Sequence, residues 1–115
     1  MITHVPLRSI LLATNLSDIE WLFPFTCSTA VESGASVTLL HVITTMRGMT
    51  VDQGGFPYYG PEPAIAAAME KLEALCAQAR AAKIQCNAIV VEGAATDKIL
   101  TISGQIHAEL LVMGT

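Results

Sequence analysis

The chain of 115 residues is 52% hydrophobic and 14% charged, a composition that excludes a disordered tail and predicts one domain, residues 1–115, with a substantial core. Its formal net charge is −4 and its six lysines and arginines are spread along the sequence, which argues against a nucleic-acid partner because no basic stripe is available for phosphates. No apolar run approaches the roughly 20 residues of a membrane helix and the amino terminus lacks a signal-peptide layout, so we expect a cytoplasmic protein with no membrane partner.

Four short apolar segments have the composition of strands that are buried on both faces of a sheet. β-Branched residues occur in the second of them, as strands favour. In chain order the predicted strands are Ser9–Asn15, Val37–Ile43, Ala88–Val91 and Leu110–Met113.

The stretch between the first two strands, about Ile19 to Ser33, is long enough for a helix that Gly34 would end. Ser17 and Asp18 are candidate N-caps. Because proline in a helix interior costs about 3 kcal/mol, we expect the regular helix to start near Phe23, with Pro24 in its first turn.

Two further helices are predicted. Residues Pro63 to Lys83 carry apolar side chains at steps of three and four, the stripe of an amphipathic helix. The last helix should run from about Thr96, a candidate N-cap, to Ile106. Its inward positions are expected to be Ile99, Leu100 and Ile106.

The connection from Thr45 to Glu62 is rich in glycine and proline, which predicts a long irregular loop. It would either close over a ligand or form a disordered connection. Tyr58 and Tyr59 within it are candidates for a lid or a dimer contact.

The three cysteines, Cys27, Cys76 and Cys86, form no Cys-x-x-Cys pair and leave an odd thiol. This pattern supports neither a disulfide framework nor a zinc site. We expect reduced thiols in the core of a cytosolic protein.

Strands that alternate with helices predict an α/β fold, an open parallel sheet with right-handed crossovers and helices on both faces. Ligands of such sheets bind outside the carboxyl ends of the strands. The first strand is not followed by the Gly-x-Gly-x-x-Gly of dinucleotide-binding domains, and the sequence has no Gly-x-x-x-x-Gly-Lys-[Ser/Thr] loop. A phosphoacceptor of the response-regulator kind is weakly supported, since the third strand closes on Glu92 and Gly93 rather than on aspartate.

Several segments resemble the universal stress protein family in order and spacing. They are Ser9–Asp18 (Ser-Ile-Leu-Leu-Ala-Thr-Asn-Leu-Ser-Asp), Gly34–Val42 (Gly-Ala-Ser-Val-Thr-Leu-Leu-His-Val), Glu92-Gly93 followed by Ile99, and Ala108–Thr115 (Ala-Glu-Leu-Leu-Val-Met-Gly-Thr). The resemblance implies a parallel sheet of strand order 3-2-1-4, with the family's fifth strand missing after Thr115. It also implies a homodimer.

The family's ATP-binding branch implies a pocket for ATP or AMP, with Mg²⁺ at the phosphates, at the carboxyl ends of the first, second and fourth strands. By position, Ala13 and Val42 would line the adenine, and Met113 and Gly114 would begin the phosphate loop. The nucleotide-binding residues that the resemblance implies are Ala13, Thr14, Asn15, Val42, Met113, Gly114 and Thr115.

Two features depart from the ATP-binding pattern. Asn15 stands where those members usually have aspartate, and the side chain would either contact a ribose or cap the turn after the strand. The phosphate loop, fourth helix and fifth strand would follow Thr115. We expect either that these elements follow in a longer protein or that another subunit covers the strand edge, which is otherwise exposed.

No Ser-His-Asp or Cys-His pairing can be placed, so we expect at most slow ATP hydrolysis rather than a dedicated enzyme. His41, inside a strand, fits a hydrogen-bonded core residue better than a catalytic one. The leading hypothesis is a stress-response protein whose dimer or partner contacts depend on an adenine nucleotide. The alternatives are a family member that acts by protein contacts alone and, ranked lower, a small ATP-dependent adenylating enzyme.

Overall fold

The computed structural model describes residues 7–44 and 62–114, in which strands and helices alternate. The glycine- and proline-rich connection up to residue 61 lies outside the described residues, together with Tyr58 and Tyr59. The elements are β1 (Ser9–Ala13), α1 (Ile19–Ser33), β2 (Ser36–Ile43), α2 (Glu62–Ala81), β3 (Cys86–Glu92), α3 (Ala95–Gln105) and β4 (Leu110–Met113).

The four strands form one parallel sheet in the order β3-β2-β1-β4. This confirms the predicted α/β fold and its strand order. Leu12 in the middle of β1 aligns with Leu39 of β2 on one side and with Val112 of β4 on the other. The carboxyl ends of β1, β2 and β4 are thereby brought together at one edge of the sheet.

Helices α1 and α2 cover one face of the sheet, as right-handed crossovers in the same direction require. The core on this face contains Ile10, Leu12 and Leu39 from the strands, all fully buried. Leu72 and Cys76 of α2 pack into the same cluster. The continuous apolar runs of β1 and β2 are thus explained by burial on this face and on the opposite one.

The other face is formed by side chains of opposite parity, among them Leu11 and Leu40, which are also fully buried. The chain crosses from β3 past β2 and β1 to β4, and this reversed direction places α3 on this second face. Leu100 of α3 is 66% exposed, so the prediction that it faces inward was wrong. Leu111 and Met113 of β4 are exposed on the same side.

Helix α1 begins at Ile19, earlier than the predicted start near Phe23, and Pro24 lies inside it. The first turn forms because Ile19 and Phe23 are both buried in the core. It is held by the Asp18 carbonyl, which accepts hydrogen bonds from the amides of Trp21 at 3.0 Å and Leu22 at 3.1 Å. Burial of this turn offsets the backbone hydrogen bond that proline cannot donate.

Asp18 occupies the N-cap position of α1, but its side chain makes no capping hydrogen bond. The residue before α3 is Ala94, which likewise offers no side-chain cap. The predicted cap Thr96 instead lies within the first turn of α3, so that prediction was wrong. Neither helix start therefore depends on the side-chain caps that sequence signals favour.

The carboxyl end of α1 is closed by Gly34, as predicted. Gly34 has φ +74° and its amide donates to the Ala30 carbonyl at 2.7 Å. A Cβ added there would meet no atom within 4 Å. The glycine is required by its backbone conformation and not by lack of space.

We expect Gly34→Ala to lower the free energy of unfolding by about 1 kcal/mol, because a left-handed backbone is strained for any residue with a Cβ. Gly104→Ala is the matched control, since Gly104 lies inside α3 and a Cβ there also meets open space. That control should raise the free energy by about 0.5–1 kcal/mol. Urea denaturation measures both, and equal effects of the two changes would contradict the assignment.

All three cysteines are free thiols; Cys76 and Cys86 are buried and Cys27 is half-buried. The Cys86 thiol donates to the Cys76 sulfur at 3.1 Å. Burial raises the pKa of each of the three thiols above its ordinary value. They are therefore neutral thiols at physiological pH and act as small apolar core residues.

None of the helices in the described ranges is long and apolar enough to cross a membrane.

Candidate functional site

A cavity of about 220 Å³ opens at the carboxyl ends of β1, β2 and β4, with the start of α3 forming one wall. Its position is that expected of a ligand site in a parallel sheet, outside the strand ends. The lining residues are Ala13, Thr14, Asn15, Asp18, Leu40, His41, Val42, Thr44, Ala95, Ile99, Met113 and Gly114.

The turn after β1 is organised by the Asn15 side chain. Its Oδ1 accepts hydrogen bonds from the Ser17 amide at 2.9 Å, the Ser17 hydroxyl at 2.8 Å and the Asp18 amide at 3.1 Å. Asn15 thus has the turn-capping role that was one of its two predicted interpretations. Its side chain is exposed, and its Nδ2 group is a donor of the kind that a ligand hydroxyl accepts.

Thr14 ties the ends of β1 and β2 together. The Nδ1 atom of His41 lies 2.8 Å from the Thr14 carbonyl oxygen. A carbonyl can only accept, so Nδ1 carries the proton and Nε2 is the acceptor when the ring is neutral. His41 is therefore the hydrogen-bonded residue that its position within a strand predicted, and it also contributes to the cavity wall.

The Thr14 hydroxyl fixes the position of Asp18. It donates to Asp18 Oδ1 at 2.5 Å and accepts from the Leu16 amide at 2.9 Å. The Asp18 side chain is held by this contact at the mouth of the cavity, directed toward the end of β4.

Gly114 leaves room for this carboxylate. A Cβ at Gly114 would collide with the second oxygen of Asp18 and would lie 3.2 Å from its Cγ. Backbone at the end of β4 can therefore be approached closely only because residue 114 is glycine. The Asp18 carboxylate, in the turn after β1, therefore lies directly beside the Gly114 backbone at the end of β4.

The remaining walls are mostly apolar. Ala13 and Met113 end neighbouring strands, Leu40 and Val42 come from β2, and Ile99 comes from α3. Apolar walls with a few fixed polar groups are typical of small-molecule sites. The cavity thus combines apolar walls with polar groups at the turn after β1.

The sequence-derived residues Ala13, Thr14, Asn15, Val42, Met113 and Gly114 all line this one cavity; Thr115 lies outside the described residues. Sequence reasoning did not include Asp18, Leu40, His41, Thr44, Ala95 and Ile99 in the binding set. Thr44 and Asp18 could have been found as polar residues shortly after strands. The contribution of α3 requires knowledge of which face the helix covers.

The universal stress protein family matches residues 7–115 of the chain. No curated protein matches it. Among solved structures, a universal stress protein family member from Burkholderia pseudomallei is 18% identical with a TM-score of 0.72, covering 98% of this chain and 85% of that one.

Two similar structures were determined with ligands. A universal stress protein in complex with cAMP is 19% identical, with a TM-score of 0.67, over 96% of this chain and 75% of that one. A universal stress protein family protein from Arabidopsis thaliana with AMP bound is 20% identical, with a TM-score of 0.63, over 94% and 76%. At these identities the structures establish a shared fold.

The fold defines an α/β protein of the parallel-sheet class with a cavity at its strand ends. The chain belongs to the universal stress protein family.

Proposed function

We propose that this chain is a cytoplasmic regulatory protein that binds an adenine nucleotide in the strand-end cavity and acts through nucleotide-dependent homodimer or partner contacts. One observation carries the proposal. All the residues that the sequence resemblance implied for nucleotide binding, except Thr115, line a single cavity at the ends of three strands. The AMP and cAMP bound by the two structural relatives support the choice of adenine.

The cavity walls suit a base and its sugar. Ala13, Val42 and Met113 offer apolar surface to a purine ring, and Asn15 offers an amide donor to a ribose hydroxyl. A volume of about 220 Å³ is below the roughly 300–1,000 Å³ of drug-sized sites. We therefore place only the base and the ribose inside the cavity, with the phosphates directed outward past Gly114.

Phosphates directed past Gly114 would reach the end of β4, where the Asp18 carboxylate lies beside the backbone. The described residues contain no group of three His, Cys, Asp or Glu side chains placed to hold a metal ion. Mg²⁺ would therefore enter with the phosphates of the nucleotide.

The proposal is tested by the thermal stability of the chain with AMP, cAMP and ATP, each at about 100 times its dissociation constant. Binding to the folded state alone should stabilise it by about 2.7 kcal/mol, which raises the melting temperature by several degrees. GMP is the control for base selectivity. Unchanged melting temperatures with all three adenine ligands would refute nucleotide binding.

Val42→Trp should abolish the stabilisation, because the larger ring fills the cavity beside β2. Val31→Trp is the matched control, since Val31 on α1 is 63% exposed and lies outside the cavity. Isothermal titration with AMP compares the two variants. Equal AMP affinity in both would place the ligand elsewhere.

A second candidate function, protein contact without nucleotide, is favoured by the exposed aromatic side chains of α1. Trp21 is 82% exposed and Phe25, one helical turn later, is 58% exposed. Large adjacent apolar side chains at a surface favour a protein interface. Sedimentation velocity of the wild type and Trp21→Ala, with and without AMP, separates the candidates: AMP-independent self-association lost in the variant would favour the second.

A further inference from the structure

Asp18 holds a position that neither helix capping nor core packing explains. It stands at the N-cap of α1 without capping it. Its carboxylate instead accepts the Thr14 hydroxyl and reaches across the strand ends to Gly114. The side chain is only partly buried and lines the cavity.

The cavity lining among the described residues contains one carboxylate, Asp18, and no lysine or arginine. The cation that comes near this turn, Lys71, places Nζ 3.4 Å from the Leu16 carbonyl, outside the lining. Helix α3 begins at the wall with Ala95 and adds only a partial positive charge. A ligand anion that passes Gly114 therefore comes close to the Asp18 carboxylate.

We propose that Asp18 determines specificity by charge: it favours adenine ligands with at most one phosphate, such as adenosine, cAMP and AMP, over the more highly charged ADP and ATP. The inference rests on the proposed nucleotide-binding function. Each added phosphate brings further negative charge toward the carboxylate, and repulsion between like charges grows as their separation and the local dielectric fall.

Gly114 makes this selection possible. With a side chain there, the carboxylate would be displaced from the end of β4. Thr14 holds the Asp18 carboxylate in place, because the Thr14 hydroxyl donates a hydrogen bond to one carboxylate oxygen. The Thr14 carbonyl oxygen in turn accepts a hydrogen bond from His41. The carboxylate is thus positioned by the ends of β1 and β2 beside Gly114, directly after β4.

The test measures dissociation constants of adenosine, AMP, ADP and ATP by isothermal titration in low-salt buffer with EDTA. The wild type should bind more weakly as phosphates are added. In Asp18→Asn, the ratio of the ATP to the AMP dissociation constant should fall about tenfold. Asparagine keeps an oxygen that can accept from Thr14, so the change removes mainly charge.

Glu20→Gln is the matched control, since it removes the same charge from an exposed position of α1 that does not line the cavity. It should leave the ratio unchanged. As a test that needs no variant, higher ionic strength should reduce the preference of the wild type for AMP over ATP.

The possible failures are distinguishable. If AMP binds but Asp18→Asn and Glu20→Gln give the same ATP-to-AMP ratio as the wild type, the charge selection is refuted while nucleotide binding stands. Preference for ATP over AMP in the wild type under these conditions also refutes it. If none of the four ligands binds, the proposed function itself fails and the inference falls with it.

Discussion

Replacement of Leu12 by alanine is expected to lower the free energy of unfolding by about 3 kcal/mol or more, the range of buried leucine-to-alanine changes. Leu12 is fully buried at the centre of β1. Its neighbours in register are Leu39 and Val112, and α1 and α2 cover this face. The strands cannot close the resulting cavity without giving up their pairing on both sides.

Leu100→Ala is the control for the same chemical change, because Leu100 is 66% exposed on α3. It should lower the free energy of unfolding by less than about 1 kcal/mol. Urea denaturation followed by circular dichroism measures both variants. Similar losses in the two would show that Leu12 does not lie in the core.

Alkaline pH is expected to destabilise the chain through its buried thiols. Burial raises the pKa of Cys86, and its hydrogen bond to the Cys76 sulfur raises it further, from an ordinary value of 9.0. At a pH between the pKa of Cys86 in the unfolded state and its pKa in the folded state, the unfolded state has lost the proton and the folded state has kept it. The contribution of the protonated Cys86 to the free energy of unfolding is therefore fully present below pH 9. It is lost as pH rises, by about 1.4 kcal/mol per pH unit.

The comparison of wild type with Cys86→Ala isolates this effect. The variant removes one thiol whose pKa is raised, so its free energy of unfolding should fall less steeply than that of the wild type between about pH 9 and pH 10.5. Both proteins are unfolded with urea at each pH under reducing conditions. Curves that stay parallel across this range would contradict the assignment of the raised pKa to Cys86.

β1 and β2 were predictable because burial on two faces leaves a continuous apolar run with little ambiguity. The prediction for Leu110–Met113 matches β4, and the strand order followed from the family resemblance. Helix boundaries were harder to predict from the sequence. Local propensity argued against Pro24 inside a helix, but burial of Ile19 and Phe23 is a tertiary effect that outweighs it.

The site was predictable in outline for a topological reason. Parallel strands bring their carboxyl ends to one edge, so residues that are distant in sequence, such as Asn15 and Gly114, can be placed together from the sequence alone. The role of Asp18 could not be derived in this way. Sequence signals identify it as a helix cap, whereas its hydrogen bond to Thr14 and its approach to Gly114 depend on side-chain geometry.

The central claim is that the strand-end cavity binds an adenine nucleotide, and photolabelling tests it most directly. The chain is irradiated with azido-adenosine monophosphate, digested and analysed by mass spectrometry. Label should appear on residues that line the cavity, such as Asn15, Val42 and Met113, and excess AMP should prevent it. Label confined to the exposed face of α1 around Trp21, or label that AMP does not reduce, would contradict the account.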